Sequence, residues 1–567
     1  MYDHLIIGGG SAGAVLANRL SVDPKTCVLL IEAGPDTLPD AIPAAILDPF
    51  PSVAYFNSDW HWRQLRVHYE RLGDNRPERF VDRRYEQARI MGGGSSINGM
   101  MAIRGLPSDF DDWVARGATG WSFDEVLPYY RRCERDLDFS GAMHGADGPL
   151  PIRRILEPEW PGFARAARRA LLAQGFAELS DHNGEFGDGL FPMAINNHPD
   201  GGPDGHRVST AMAYLDTAAR QRRNLEVLSK TMVERILFED NRATGVEILR
   251  DGEPVSVLAH NIVISTGAFH SPALLMRSGI GPAAHLRQHG IGVRADRAGV
   301  GKGLQDHPMV TLVAHLQRPW RMPPAMRRHI HLGLRYSSGL DGCPAGDMFM
   351  LANNRGGWHP LGHLLGGLIV CVNKPCSEGL VELRGPGADM EPRIHFNQFG
   401  DSRDLDRLVD AMRLAYRVMS SQELRDGTLD WFPSTFSEKA RDLAVVSQSN
   451  WLKTKAAATA LDFAATRRMM MRRFISPGID IHRLIEDDDG LRTWIRENGC
   501  GSWHASCTCR MGAREDHMAV VDPSCRVIGV DGLCVVDASI MPSVVSANTN
   551  LTTIMIAEKA ADAILHG

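Results

Sequence analysis

Nothing in this 567-residue chain approaches the ~20 consecutive apolar residues that a membrane-spanning helix needs. The best run, LLGGLIVCV at Leu364–Val372, is far too short. A basic excess is missing too. The formal net charge is −6, so no overall field gathers a phosphate backbone, and nucleic acid is not an expected partner. The opening MYDHLIIGGG has no basic stretch ahead of its apolar run, so no secretory leader is expected. Ten cysteines are scattered without framework spacing and read as reduced thiols, which leads to an expectation of a cytoplasmic protein. Internal repeats and low-complexity tracts are absent. What is present is ordinary globular composition, 44% hydrophobic and 23% charged, enough for a large core and roughly three to four domain-sized units.

The first 35 residues are the most informative. His4–Ile7 is a short apolar run of the kind that forms a buried parallel strand. Gly8, Gly10 and Gly13 follow as G-x-G-x-x-G, then helical spacing over Ala14–Leu20, then a second apolar run at Val28–Ile31 closed by Glu32. Each part has a task. Gly8 permits a tight turn, Gly10 lets backbone approach a pyrophosphate, and Gly13 lets the helix lie close on the strand. The helix N-terminus offers free N–H groups to the anion, and Glu32 can accept from a ribose hydroxyl. An acid here favours an unphosphorylated ribose, hence FAD or NAD over NADP.

A second glycine cluster, ARIMGGGSSINGMMAIRG at Ala88–Gly105, is poor in helix and strand formers and reads as a loop built for close approach. Here the sequence resembles the glucose–methanol–choline oxidoreductases. The resemblance rests on GGGSSING after YEQARIM, on GAFHSPALLMRSGIG at Gly267–Gly281, on VGKGLQDHP at Val300–Pro308, and on the C-terminal VVDASIMPSVVSANTNLTTIMIAEKAADAIL. It implies an α/β (α+β) fold: a Rossmann-like FAD-binding domain (1–155, 221–316 and 491–567) and a discontinuous substrate domain (156–220 and 317–490) on an antiparallel sheet flanked by helices. It also implies FAD, with Gly8, Gly10, Ser11, Ala12, Gly13, Glu32 and Ala33 at its ADP half. Gly92, Gly93, Gly94, Ser95, Asn98, Gly99 and Met101 would run along the flavin and pyrophosphate, and Val233 would meet the adenine through its backbone. Asp537, Ala538, Thr549 and Trp503 would complete the cradle. Members that bind FAD covalently use a histidine just before the loop asparagine. Ile97 stands there, so the flavin is expected to be non-covalent.

GSWHASCTCRMG, at Gly501–Gly512, packs a histidine, two cysteines and an arginine together. Zinc would need about four ligands, and no second cysteine pair lies near. A Cys507–Cys509 disulfide would close a very tight ring. A thiol nucleophile has Arg510 beside it but no evident base. A histidine suits removal of an alcohol proton during hydride transfer, because it titrates near neutrality. The family resemblance selects this reading, with His504 as the base, Asn548 as its partner, the cysteines as packing residues, and no metal.

Elsewhere, FNSDWHWRQ at Phe56–Gln64 resembles an entrance loop in which Trp60 and Trp62 either wall an aromatic site or pack as a hinge. Leu365–Gly387 reads as two strands around a turn. Residues 425–478 resemble a helical insertion, whose Asn450–Gly478 part sets Arg467, Arg468, Arg472 and Arg473 around Met469–Met471. Such a helix either buries an apolar stripe or docks peripherally on a membrane or a partner. The expected activity is oxidation of primary, aromatic or furanic, alcohols with dioxygen. The alternatives are a dehydrogenase of choline, polyethylene glycol or aliphatic alcohols with a quinone-type acceptor, and a non-redox hydroxynitrile lyase.

Overall fold

The computed structural model describes residues 1–69, 81–201, 205–250, 252–434 and 436–566, and the side chain of Arg472 lies outside that description. The N-terminal pattern folds as its composition demands. Tyr2–Ile7 is a strand, Ser11–Leu20 a helix and Val28–Ile31 a second strand, so strand and helix each begin earlier than the apolar periodicity marks them. The strands run parallel, His4 beside Val28 through Ile7 beside Ile31. Leu225–Leu228 adds to the outer side of Val28–Ile31, and the second half of Glu253–Ile264 adds to Tyr2–Ile7. Leu533–Val535 closes the far side. The first half of Glu253–Ile264 leaves this parallel core and pairs antiparallel with Arg242–Arg250, which carries Val233–Glu239. The helices Ser11–Leu20 and Thr549–His566 pack against each other. The core strands are apolar because both faces are covered.

A second sheet is antiparallel, in the order Thr428–Ser434, Pro308–Leu316, Leu365–Val372, Met348–Asn353, Ile330–Tyr336, Gly189–Pro192. Its central strands alternate strictly. Phe349, Leu351 and Asn353, with Ile369 and Cys371 opposite, face a large cavity. Met350, Leu368, Val370 and their neighbours are buried, and the helix Ser402–Met419 packs against the Leu365–Val372 and Pro308–Leu316 strands. The period of two thus divides the strand between core and site. A smaller sheet links Lys302–Leu304, Gly379–Glu382, Arg393–His395, Arg66–His68 and Arg83–Arg84.

Three sequence readings change. Leu365–Val372 and Gly379–Glu382 are both strands but not a hairpin, because each finds its partners in a different sheet. The stretch 425–478 is not wholly helical, since Thr428–Ser434 is the edge strand on Pro308–Leu316. Helices follow it, Glu438–Ala444, Gln448–Leu461 and Ala464–Met470. Pro308–Leu316, expected to close a cofactor-domain segment, is instead central to the antiparallel sheet. Among the described residues no helix is long and apolar enough to cross a membrane.

Candidate active site

One cavity of about 450 Å³ runs from the ends of the parallel strands to the inner face of the antiparallel sheet. Its first half is a nucleotide cradle by construction. Gly8 has φ +97°, and a Cβ at Gly13 would sit 1.8 Å from the Gly8 carbonyl oxygen, so the helix can lie on the strand only with glycine there. Gly10 caps the helix without a side-chain hydrogen bond, leaving first-turn N–H groups for a ligand. Opposite, the GGGSS loop is tighter than a plain loop: Gly93–Ser96 forms a short 3-10 turn. A Cβ on Gly93 would come within 2.8 Å of Gly10 Cα. The two glycine loops therefore pack backbone against backbone at the edge of the cradle, a contact that a side chain on Gly93 would block.

The expected cofactor residues fall into two groups. Gly8, Gly10, Ser11, Ala12, Glu32 and Ala33 line the cavity, as do Gly93, Gly94, Asn98, Gly99 and Met101. So do Val233, Trp503, Asp537, Ala538 and Thr549. Gly13, Gly92 and Ser95 do not line it; they shape it from behind. Gly92 donates to the Gly9 carbonyl at 2.7 Å, and Ser95 Oγ donates to Gly92 O at 2.5 Å. Glu32 is anchored by the N–H groups of Gly9 (2.8 Å) and Gly34 (2.7 Å), which orient its carboxylate while leaving lone pairs for hydroxyl donors. The Asp537 carboxylate is committed to the protein: it accepts from Gly267 N (2.8 Å) and Ser271 Oγ (2.6 Å) and so braces the helix Gly267–Arg277. A glycine-lined cradle, a free helix N-terminus and an anchored acid fit an FAD molecule. Ile97 lines the same cavity, so an inert side chain stands where a covalent attachment would need a nucleophile.

The second half holds the expected catalytic pair, His504 and Asn548. His504 is carried on a segment bridged to Gln305 through Ser506, with backbone N···O distances of 3.1 and 3.2 Å. Its imidazole lies between two partners. Nδ1 is 2.8 Å from His307 Nδ1, and Nε2 is 3.0 Å from Asn548 Nδ2. His307 Nε2 is 3.1 Å from the Val545 carbonyl, which can only accept. This carbonyl fixes every proton in the row. His307 must carry its proton on Nε2, so its Nδ1 accepts; His504 must then donate from Nδ1, and its Nε2 lone pair, on the cavity side, accepts from Asn548 Nδ2. Burial, and His307 after it, hold His504 well below its ordinary pKa, and burial lowers His307 to about 4. Both rings are neutral at ordinary pH, so Nε2 carries no proton and a hydroxyl that takes the place of the Asn548 amide meets a lone pair.

The supports are polar and fully engaged. Asp306 accepts from the backbone N–H of His307 (2.8 Å), His504 (2.9 Å) and Ser502 (3.1 Å). Those last two flank Trp503, a non-glycine residue at φ +59°, so Asp306 holds a strained turn in place. Burial nevertheless raises Asp306 to about 7. The loop that presents Asn548 is tied by Asn373 Nδ2 to Ser546 O (2.6 Å), Lys374 Nζ to Val544 O (2.7 Å) and Val544 N to Gln305 Oε1 (2.9 Å).

Sequence reading missed His307, although LQDHP was one of the quoted family-like motifs; nothing in that string says that its histidine reaches another 197 positions away. It also missed the partners that hold Trp503. The indole donates to Glu86 Oε2 at 3.0 Å, meets the rings of Tyr55 and Phe436 edge-on at 5.0 Å each, and Glu86 is ion-paired with buried Arg441. Trp62 lines the cavity and stacks on His270 at 4.2 Å. Trp60 is not part of the wall. All ten cysteines are free. Cys507 and Cys509 are buried, and burial pushes both thiols up, Cys507 to about 12, so neither is a thiolate. Among the described residues, one cluster has metal-ligand spacing, Glu134, Asp136 and His144. Arg104 and Arg154 already neutralise it, so it is an ionic knot of the core.

Comparisons with known proteins place the whole chain. The two GMC oxidoreductase family models match residues 2–309 and 375–557. A 5-(hydroxymethyl)furfural oxidase of a Methylovorus species is 39% identical over 100% of this chain and 99% of its own. An oxygen-dependent choline dehydrogenase of Photobacterium profundum is 32% identical over 100% of this chain and 93% of its own. Among solved structures, pyridoxine 4-oxidase from Mesorbium loti superposes with a TM-score of 0.82 at 28% identity, covering 100% of both chains.

Proposed function

The chain belongs to the glucose–methanol–choline family of FAD-dependent alcohol oxidoreductases, and from that premise we propose that it oxidises primary aromatic or furanic alcohols to aldehydes, with dioxygen as electron acceptor and hydrogen peroxide as co-product. FAD, when bound, supplies the acceptor for the hydride of the carbinol carbon. The chain's own residues do the rest. The Nε2 lone pair of His504 takes the hydroxyl proton. Asn548 Nδ2 donates to the same oxygen and holds it beside the base. His307 is a positioning residue that fixes the tautomer and accepts from Nδ1 as Nε2 becomes protonated. Such a base contributes about 10²–10⁴ in rate. With Ile97 at the attachment position, the cofactor is held non-covalently. We take the cofactor domain as 1–155, 221–307 and 491–567, the Pro308–Leu316 strand belonging to the substrate sheet.

The observation that carries the substrate class is the aromatic lining of the cavity that also holds His504. Tyr55, Phe56, Phe349, Phe436 and Trp503 contribute to it, a shape and polarity suited to a flat ring. Glu86, the carboxylate on this wall, is neutralised by Arg441 and used by Trp503, so it is not free to pair a quaternary ammonium. That counts against choline, while the relation to a furfural-alcohol oxidase supports the ring. The test is anaerobic mixing of the flavoprotein with aryl alcohols, choline and aliphatic alcohols, followed by air. Bleaching by an aryl alcohol, then recovery with peroxide, is expected. Bleaching by choline alone refutes the substrate, bleaching that persists in air refutes the acceptor, and cyanide release without bleaching points to a lyase.

A further inference from the structure

Among the described residues, segment 445–474 gathers the most exposed large hydrophobic side chains. Val445, Val446, Trp451, Leu452, Phe463, Met469 and Phe474 are each 40–65% exposed. They are seven of the eighteen exposed large hydrophobic side chains among the described residues, and all three aromatic ones are among them. The sequence allowed either a buried apolar stripe or an exposed one, and the structure shows the exposed one. Within the helix Gln448–Leu461 only Thr454 and Leu461 are buried.

Charge runs the same way. In a chain of net charge −6, residues 448–475 hold six cations (Lys453, Lys455, Arg467, Arg468, Arg472 and Arg473) against one carboxylate, Asp462. Asp462 is drawn off by Arg321 (3.0 Å) and Arg318 (3.5 Å), and Arg467 is spent on Asp430. Lys453, Lys455, Arg468 and Arg473 are exposed and form no ion pair among the described residues. Lys455 Nζ lies 4.7 Å from the Trp451 ring centroid, so cation and indole share one spot.

We propose that this helical segment docks the enzyme peripherally on an anionic lipid bilayer, its aromatic side chains entering the headgroup region and its free cations meeting lipid phosphates. Apolar exposure alone would serve a second copy of the chain equally well. A positive face on a negative protein does not, because two copies of it repel while an anionic surface attracts it. The segment is tied to the body of the protein at its start, where Trp358 Nε1 donates to Ala444 O at 2.7 Å. The inference is independent of which alcohol or acceptor the enzyme uses.

The experiment is flotation of the FAD-loaded enzyme with phosphatidylcholine vesicles and with vesicles containing about 30% phosphatidylglycerol, at low and high salt. Binding to the anionic vesicles that fades with salt is expected. The variant Lys453→Glu/Lys455→Glu/Arg468→Glu/Arg473→Glu should partition at least ~100-fold more weakly. Trp451→Ser/Phe463→Ser/Phe474→Ser should also lose binding. Both variants should keep the flavin band and oxidation of a soluble alcohol, which controls for folding. Equal binding to both vesicle types, or binding to neither, overturns the proposal. So does a wild-type dimer in light scattering that the serine variant converts to monomer.

Discussion

Replacing His307 by leucine tests the row of protons that makes His504 a base. His307 is 2% exposed and touches no bulk water, so leucine fills the space but accepts nothing. Two consequences follow. His504 Nδ1–H loses the partner at 2.8 Å, and the Val545 carbonyl loses the one at 3.1 Å. A buried donor left unpaired costs about 1–3 kcal/mol, and His504 can escape only by moving its proton to Nε2, where the lone pair is needed. Either route lowers the competent population, so the rate of flavin reduction should fall ~5- to 150-fold, short of the loss on removing the base outright. His307 also helps to depress the His504 pKa, so its removal should move the acid limb of the rate profile toward higher pH. His307→Gln should restore much of the rate, because one amide can donate to Val545 and accept from His504. The assay is anaerobic stopped-flow reduction across about pH 5.5–9.5 with a saturating aryl alcohol. A leucine variant with wild-type rate and profile would refute the tautomer argument. So would a glutamine variant no better than leucine.

Other outcomes are expected from the same geometry. His504→Ala should keep its flavin and lose reduction by about 10²–10⁴, read by the same stopped-flow traces. In the wild type, reduction should be flat above about pH 6.5, because burial keeps His504 neutral there, and should fall only in acid. Gly93→Ala should purify with at least ~10-fold weaker FAD retention, measured by absorbance, since its Cβ closes the gap to Gly10 at a backbone φ of +52°. Arg441→Met leaves the Glu86 carboxylate buried and unpaired; unfolding should show a loss of about 3–5 kcal/mol, and the loosened Trp503 wall should raise KM. Stability should also drop as pH falls from about 6.5 toward 4. His307 and His359 are lowered by burial to about 4 and His331 to about 3, so the unfolded chain binds more protons over that window. Asp306, raised by burial to about 7, opposes this, as do Glu32 and Asp138, whose carboxyls burial also raises, but the lowered histidines outweigh them. Melting temperatures that rise on acidification would contradict the assignment.

The sequence alone determined the cofactor half. Strand, glycine turn, helix and acid lie within one short stretch, so local geometry is enough to place Gly8, Gly10 and Glu32 on one cradle, and the family motifs placed His504 and Asn548. Tertiary structure decided what depends on distant partners. His307 meets His504 only because Gln305 and Ser506 bridge two segments far apart in the chain, and the Val545 carbonyl that fixes their protons belongs to a third. Leu365–Val372 looks like half of a hairpin until its true neighbours, Pro308–Leu316 and Met348–Asn353, claim it. Whether Trp451, Phe463 and Phe474 are covered or bare was likewise undecidable from periodicity, because periodicity reports which face a residue takes and not whether anything packs on that face.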